Sequence, residues 1–202
     1  LTSGGIAMAA LWCLDPAASS SLDCMDRLED RAAIEDQMVR YARATDWMET
    51  ENHRLVFADE CVFASPHSGD MHGVDAVVAW MNRVLPQFEA TQHLIGNIAI
   101  TFTGPDTATG LWYLEDRFID PLRQEDTIGT ALYRDRYVRT ADGWKIARSE
   151  YDRVYEITRP IPQDERLTFR LLARTGRKPE ARVDCSRWLQ WHAPDTPVEN
   201  SR

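Results

Sequence analysis

Tyr41, Asp46, His93, Asp116 and Arg153 are the side chains of this chain whose types and settings could move protons or hold developing charge. Histidine titrates nearest neutrality and can serve as base or acid, while a carboxylate can orient it or balance its charge. His93 opens a strand-like segment and shares a face with Ile95 and Asn97 if the pleat is regular; Gly96 marks a place where a bulge would change the parity beyond it. Tyr41 and Asp46 lie five positions apart at the end of a helix-like segment, close enough around the helix for both to reach the rim of one cavity. Asp116 alternates with Trp112, Leu114 and Phe118, and a carboxylate on so apolar a face needs a partner, since burying it alone raises its pKa or costs on the order of several kcal/mol. A structural salt bridge to Arg153 or Arg148 would satisfy it, and so would a catalytic site. Tyr151, Arg153 and Tyr155 fall on one face of the last strand-like segment, which reads equally as a solvated ladder. Taken singly, a strand histidine is most often hydrogen-bonded core and a helix-end aspartate most often surface. His67 and His72 flank Asp70 in a turn without a third histidine near in sequence, so no metal is expected.

The elements that must position these groups follow from periodicity. From Asp26, Leu28, Ile34, Met38, Tyr41 and Ala42 recur close to helical spacing, which predicts a long amphipathic helix. A short helical stretch over Glu51 to Phe57 precedes a strand-like CVFAS and a turn containing Pro66, Ser68, Gly69 and Asp70. Val74 to Leu85 is helical again and is stopped by Pro86. Beyond it the period becomes alternating in four segments, His93–Thr103, Thr107–Ile119, Thr127–Arg139 and Trp144–Ile157, separated by turn-forming residues. Helices followed by an antiparallel meander predict an α+β fold with helices across one face of a curved sheet.

Bulk properties narrow the function classes. A length of 202 residues with 44% hydrophobic content suits one domain with a full core. Residues 1–24 read as a leader set apart from the fold, 25–157 as the domain and 158–202 as an extension with a small apolar cluster of Trp188, Leu189 and Trp191. Lys and Arg total 23 against 32 Asp and Glu, and the resulting formal charge of −9 repels a phosphate backbone, so nucleic acid is not an expected partner. Cys13, Cys24, Cys61 and Cys185 are scattered, without zinc-site spacing or the density of a disulfide scaffold, and read as reduced thiols. The apolar run Ile6 to Leu14 is too short to span a bilayer and lacks a basic flank, so membrane insertion is not expected and a cytoplasmic location is. A Gly-rich phosphate loop is missing from the text, and a cofactor is not expected.

The assembled pattern resembles the SnoaL-like branch of the nuclear-transport-factor-2-like superfamily. The segments that carry the likeness are LEDRAAIEDQMVRYARATDW, TQHLIGNIAITF, TATGLWYLEDRF and YRDRYVRTADGWKIARSEYDRVYE, spanning Met25 to Glu156. The resemblance implies a cone of curved sheet closed by about three helices and a homo-oligomer, dimer or trimer. Within that superfamily the spacing is most similar to the bile-acid 7α-dehydratase, scytalone dehydratase and lindane dehydrochlorinase group. That group implies His93 as a base held by Asp46, Tyr41 as the tyrosine five positions before that acid, Asp116 as the carboxylate on the following strand, and Arg153 as a late-strand arginine, with Arg148 and Arg139 as rivals.

These matches lead to an expected chemistry of proton abstraction and elimination, most simply dehydration, on a hydrophobic cyclic small molecule. In that scheme Tyr41 donates a hydrogen bond to a carbonyl or leaving hydroxyl, and Asp116 returns a proton if its apolar neighbours raise its pKa. Trp47, Trp112, Phe118 and Asn97 are the expected substrate-binding side chains. Isomerisation by the same base, or cyclisation of a polyketide, is the second reading. A non-catalytic binding or assembly module, like a ring-hydroxylating dioxygenase small subunit, is the third.

Overall fold

The computed structural model describes residues 21–162 apart from 66, 67, 89 and 121. Its first element, α1 (Ser21–Asp46), buries Asp30, Ile34, Gln37, Met38, Tyr41 and Thr45, spaced three or four apart along one stripe. Its solvent face carries the i,i+4 pairs Arg31–Glu35 and Asp36–Arg40. Asp30, within the buried stripe, accepts from Trp144 Nε1 at 2.9 Å and from Arg139 Nη2 at 2.5 Å. The helix ends where Met48 adopts a left-handed φ of 55°, a conformation usually left to glycine, and so Asp46 is its last residue.

A 3₁₀ turn (Thr50–Asn52) and the single-turn α2 (His53–Val56) lead into β1 (Phe57–Ser65), which pairs antiparallel with β2 (Gly69–His72). Gly73, at φ 82°, opens α3 (Val74–Val84), whose Val74, Val77, Val78 and Met81 form the buried face. The turn Leu85–Gln87, with Pro86 inside it, stops the helix. The long strands β3 (Ala90–Gly104), β4 (Thr107–Asp120), β5 (Glu125–Thr140) and β6 (Gly143–Pro160) then form an antiparallel meander. Gly143 at φ 99° makes the last reversal possible.

The sheet order is β2-β1-β6-β5-β4-β3, so β1 joins the meander alongside its final strand. Among the described residues three helices and a six-stranded curved, unclosed sheet make an α+β architecture of the expected NTF2-like kind. Two details correct the sequence reading. The sheet is not wholly antiparallel, because β1 runs parallel to β6, and the turn after CVFAS contains a further strand, β2. A parallel neighbour comes from the helical crossover between β1 and the meander and leaves no local sequence mark. The described elements also overrun the expected borders: α1 begins at Ser21, inside the segment read as leader, and β6 continues to Pro160. Trp188, Leu189, Trp191 and His67 lie outside the described residues, while His72 is exposed on β2 and Cys61 is a free, buried thiol.

Alternation is strict along β4, where Ala108, Gly110, Trp112, Leu114 and Asp116 are buried and the residues between them exposed. Trp112 lies flat on its cross-strand neighbour Tyr133, centroids 4.1 Å apart, and its Nε1 donates to Asp135 Oδ2 at 2.6 Å. Tyr137 donates to the same oxygen at 2.8 Å. Asp135 is fully buried, and burial pushes its carboxyl up to about 6 against the lowering pull of Ser149, Trp112 and Tyr137. Among the described residues no helix is long and apolar enough to cross a membrane.

Candidate active site

The C-terminus of α1 meets the free edge of the sheet at β3. There Asp46 holds one residue twice: Oδ1 lies 2.5 Å from His93 Nδ1, and Oδ2 accepts the backbone N–H of His93 at 2.9 Å. The second bond is available because β3 is the outermost described strand and its outward amides have no strand partner among the described residues. A carboxylate at Nδ1 dictates the tautomer. In the neutral ring the hydrogen sits on Nδ1 and Nε2 carries the lone pair. The His93 side chain is 5% exposed, lines a cavity and meets the ring of Phe118 edge-on at 5.6 Å.

That cavity, about 360 Å³, lies between α3 and the concave side of the sheet. One wall is apolar and comes mainly from α3 and the turn after it: Trp80, Met81, Val84, Leu85 and Phe88, faced by Phe63 and Phe118. Its floor carries phenols. Tyr41 and Tyr133 hydroxyls are 3.1 Å apart, and Tyr151 packs against Tyr133 with centroids 5.1 Å apart. Burial is the main cause that raises the pKa of all three above the ordinary tyrosine value, so they are neutral hydroxyls that can donate to an oxygen and cannot act as bases near neutrality. Since only one of the two hydrogens is used between Tyr41 and Tyr133, the other is available to a ligand oxygen.

Asp116 is the cross-strand neighbour of His93 and is 2% exposed. Arg153 Nη1 donates to both of its oxygens, at 2.7 and 2.8 Å, and Arg153 Nε lies 3.5 Å from Glu156. The guanidinium fits because Gly129, opposite Asp116 on β5, has no side chain: a Cβ there would stand 2.9 Å from Asp116 Oδ1 and collide with Arg153 Nη1. With Arg153 Nη1 bound across both oxygens, Asp116 is placed as the partner that holds Arg153.

Of the expected residues, the structure brings His93 and Asp46 into contact, and Tyr41, Asp116, Arg153 and Phe118 join His93 in the cavity lining. Arg153, rather than its rivals, is the late-strand arginine there: Arg139 pairs with Asp30 and Asp106, and Arg148 with Glu150. Three expected binding residues stand elsewhere. Trp112 is core behind Tyr133. Trp47 lies past the helix end and is absent from the lining. Asn97 is exposed, at φ 51° in a bulge between Gly96 and Ala99 that flips the parity of β3. A second bulge, at Thr130/Ala131 in the β5–β6 pairing, breaks the expected Tyr151–Arg153–Tyr155 face, so that Glu156 and Thr158 line the cavity and Tyr155 is exposed.

Tyr133, Tyr151 and Thr45 are site residues the sequence reading missed. Thr45 could have been found on the α1 stripe, one turn after Tyr41, and Tyr133 from its two-residue spacing with Asp135 and Tyr137. Thr45 is itself braced by a fully buried histidine, His53, whose Nε2 is 3.2 Å from Thr45 Oγ1 and whose Nδ1 is 2.9 Å from the Thr50 carbonyl. Burial drives the His53 pKa down to about 4, which keeps it a neutral packing group.

A family model described as a SnoaL-like domain matches residues 26–150. An uncharacterized protein of Mycobacterium tuberculosis is 26% identical over 136 residues, 67% of this chain and 90% of that protein. Among solved structures, a hexachlorocyclohexane dehydrochlorinase of Novosphingobium barchaimii superposes with a TM-score of 0.64 at 18% identity, covering 72% of this chain and 99% of its own. A Novosphingobium aromaticivorans protein named as a candidate scytalone dehydratase superposes with a TM-score of 0.61 at 21% identity, covering 70% and 97%. At these identities the structural likenesses establish the fold.

Proposed function

From the premise that the chain belongs to the SnoaL-like domain family, we propose that it is a lyase that uses His93 and Asp46 to eliminate water from a hydrophobic cyclic small molecule. The observation that carries this reading is the double grip of Asp46 on the ring and backbone of His93, at the edge of a cavity whose opposite wall is apolar. A base aligned in this way needs no further activation. Its Nε2 lone pair takes a hydrogen from carbon beside a carbonyl, the C–H electrons form the new double bond, and the carbon–oxygen bond to a β-hydroxyl breaks. Asp46 balances the imidazolium as it forms, and the same proton leaves with the hydroxyl as water. Tyr41 and Tyr133 can hold the enolate oxygen as neutral hydroxyl donors. Two of the structural neighbours bear the names of a dehydrochlorinase and a dehydratase, both eliminations, which favours this reaction class.

The same base and phenols serve an isomerase if the proton is returned to another carbon. Product mass separates the two, because elimination loses one water. The test is turnover of a panel of cyclic β-hydroxy ketones followed by mass spectrometry, with His93→Ala alongside. Loss of turnover in the variant, with product lighter by one water in the wild type, supports the proposal. Undiminished turnover in His93→Ala removes it.

A further inference from the structure

The charges around the cavity constrain what can enter it. Its lining contains two cations, Arg123 and Arg153, and three carboxylates, Asp116, Glu125 and Glu156. Both cations have carboxylates of their own. Arg153 is bound across Asp116, and Arg123 Nη1 lies 3.2 Å from Asp120 Oδ2. His93 is likewise committed to Asp46. At the rim Glu156 is only loosely approached, by Arg153 Nε at 3.5 Å, and Glu125 has no ion-pair partner among the described residues. The rim therefore holds surplus negative charge, set at the end of a wall with low dielectric on one side. The floor offers hydroxyl donors, and among the described lining residues each guanidinium is already paired with a carboxylate.

We infer that Glu125 and Glu156 determine specificity by excluding acidic molecules, and that the substrate is an uncharged ring compound with an oxygen directed at the Tyr41–Tyr133 floor. A free acid, a phosphate ester or an acyl group on a polyanionic carrier would bring its charge against the rim carboxylates without a free cation to receive it. This inference rests on the cavity being the substrate site of the proposed function, but not on the reaction being an elimination.

The test uses two ring compounds of nearly equal shape, 2-acetylnaphthalene and 2-naphthoate, titrated into the full chain at pH 7.5 by ligand-observed NMR. Desolvation alone disfavours the anion in any apolar pocket, so the informative quantity is how the gap responds to the rim. In the wild type the ketone is expected to bind at least tenfold more tightly. In the Glu125→Gln, Glu156→Gln double variant the gap is expected to close by on the order of tenfold, through stronger naphthoate binding with the ketone unchanged. Each single variant should give part of that change, and raising salt should narrow the wild-type gap. The single variants and the salt series decide the matter even if the double variant fails to fold. Naphthoate binding as tightly as the ketone, a gap unmoved by both variants and salt, or no binding of either probe would overturn the inference. Because these readouts need no turnover, they stand or fall separately from the elimination: His93→Ala should keep the same selectivity.

Discussion

Gly129 is the position where one methyl group tests the construction of the cavity. A Cβ there lands 2.9 Å from Asp116 Oδ1 and 3.1 Å from Arg153 Cζ, against a pair whose side chains are 2% and 16% exposed. The backbone itself offers no objection, since Gly129 does not sit in the left-handed region. Something must move, and the end of Arg153 is the freer party. Uncoupling a buried pair outright costs about 3–5 kcal/mol. Arg153 lies beside the cavity and can recover part of its hydration there, so Gly129→Ala is expected to destabilise by about 1–3 kcal/mol, or roughly 2–9 °C in Tm for a chain of this size. Gly96→Ala is the matched control. A Cβ at Gly96 meets nothing within 4 Å, so that variant should be within about 0.5 kcal/mol of wild type. Urea unfolding with an unchanged m-value measures both. In an Asp116→Asn, Arg153→Met background, Gly129→Ala should lose most of its effect, because the methyl acts through the ion pair. A Gly129→Ala variant as stable as Gly96→Ala, or one equally damaging in both backgrounds, would refute the reasoning.

Further outcomes follow from the same geometry. Asp46→Asn should lower kcat/KM by about 10²–10³-fold while ligand affinity changes little, since an amide can no longer hold Nδ1–H with full negative charge; steady-state kinetics beside equilibrium binding distinguishes this from a binding defect. Asp135 has its carboxyl raised to about 6 from an ordinary aspartate value of 3.8, so the folded state holds a proton that the unfolded state has released between those values. Its contribution to stability is fully present below about pH 3.8 and is lost as pH rises through about 6, a swing on the order of 3 kcal/mol. The difference in unfolding free energy between wild type and Asp135→Asn should move by that amount between pH 4 and 7, and a pH-independent difference would contradict it. Gly110→Ala would put a Cβ 2.7 Å from Tyr137 Cε2, and overpacking of this kind is expected to cost about 1–3 kcal/mol in denaturant unfolding.

Much of this architecture is written in local pattern. The α1 stripe, the α3 face stopped by Pro86 and the alternation along β4 each follow from side-chain spacing, which is why Asp116 could be placed among apolar neighbours before any coordinates. The contact between Asp46 and His93 depends on where α1 ends against the sheet edge. Spacing brought both residues into view, and the family resemblance paired them. What stayed hidden was set by one-residue irregularities and by long-range pairing. Two bulges reassigned Asn97 and Tyr155, because a single inserted residue exchanges the faces of everything beyond it. Trp112 was taken for cavity wall because burial looks alike in sequence whether a ring faces a hollow or, as here, another ring. Spacing puts Tyr133 on one face with Asp135 and Tyr137, but its seat on the floor also depends on its register opposite Trp112.

The hydrogen bond from the His93 amide to Asp46 has a meaning apart from chemistry. It caps a strand that would otherwise offer an open donor to a neighbouring molecule, so the residue that aligns the imidazole also guards the molecule against edge-to-edge association. Two selective pressures thus converge on one carboxylate. Under the proposed function, a descendant without the elimination would still have reason to retain an acid at position 46, whereas nothing in the edge-capping role requires an imidazole at 93. In sorting working enzymes from silent relatives, the aromatic nitrogen is the diagnostic member of the pair.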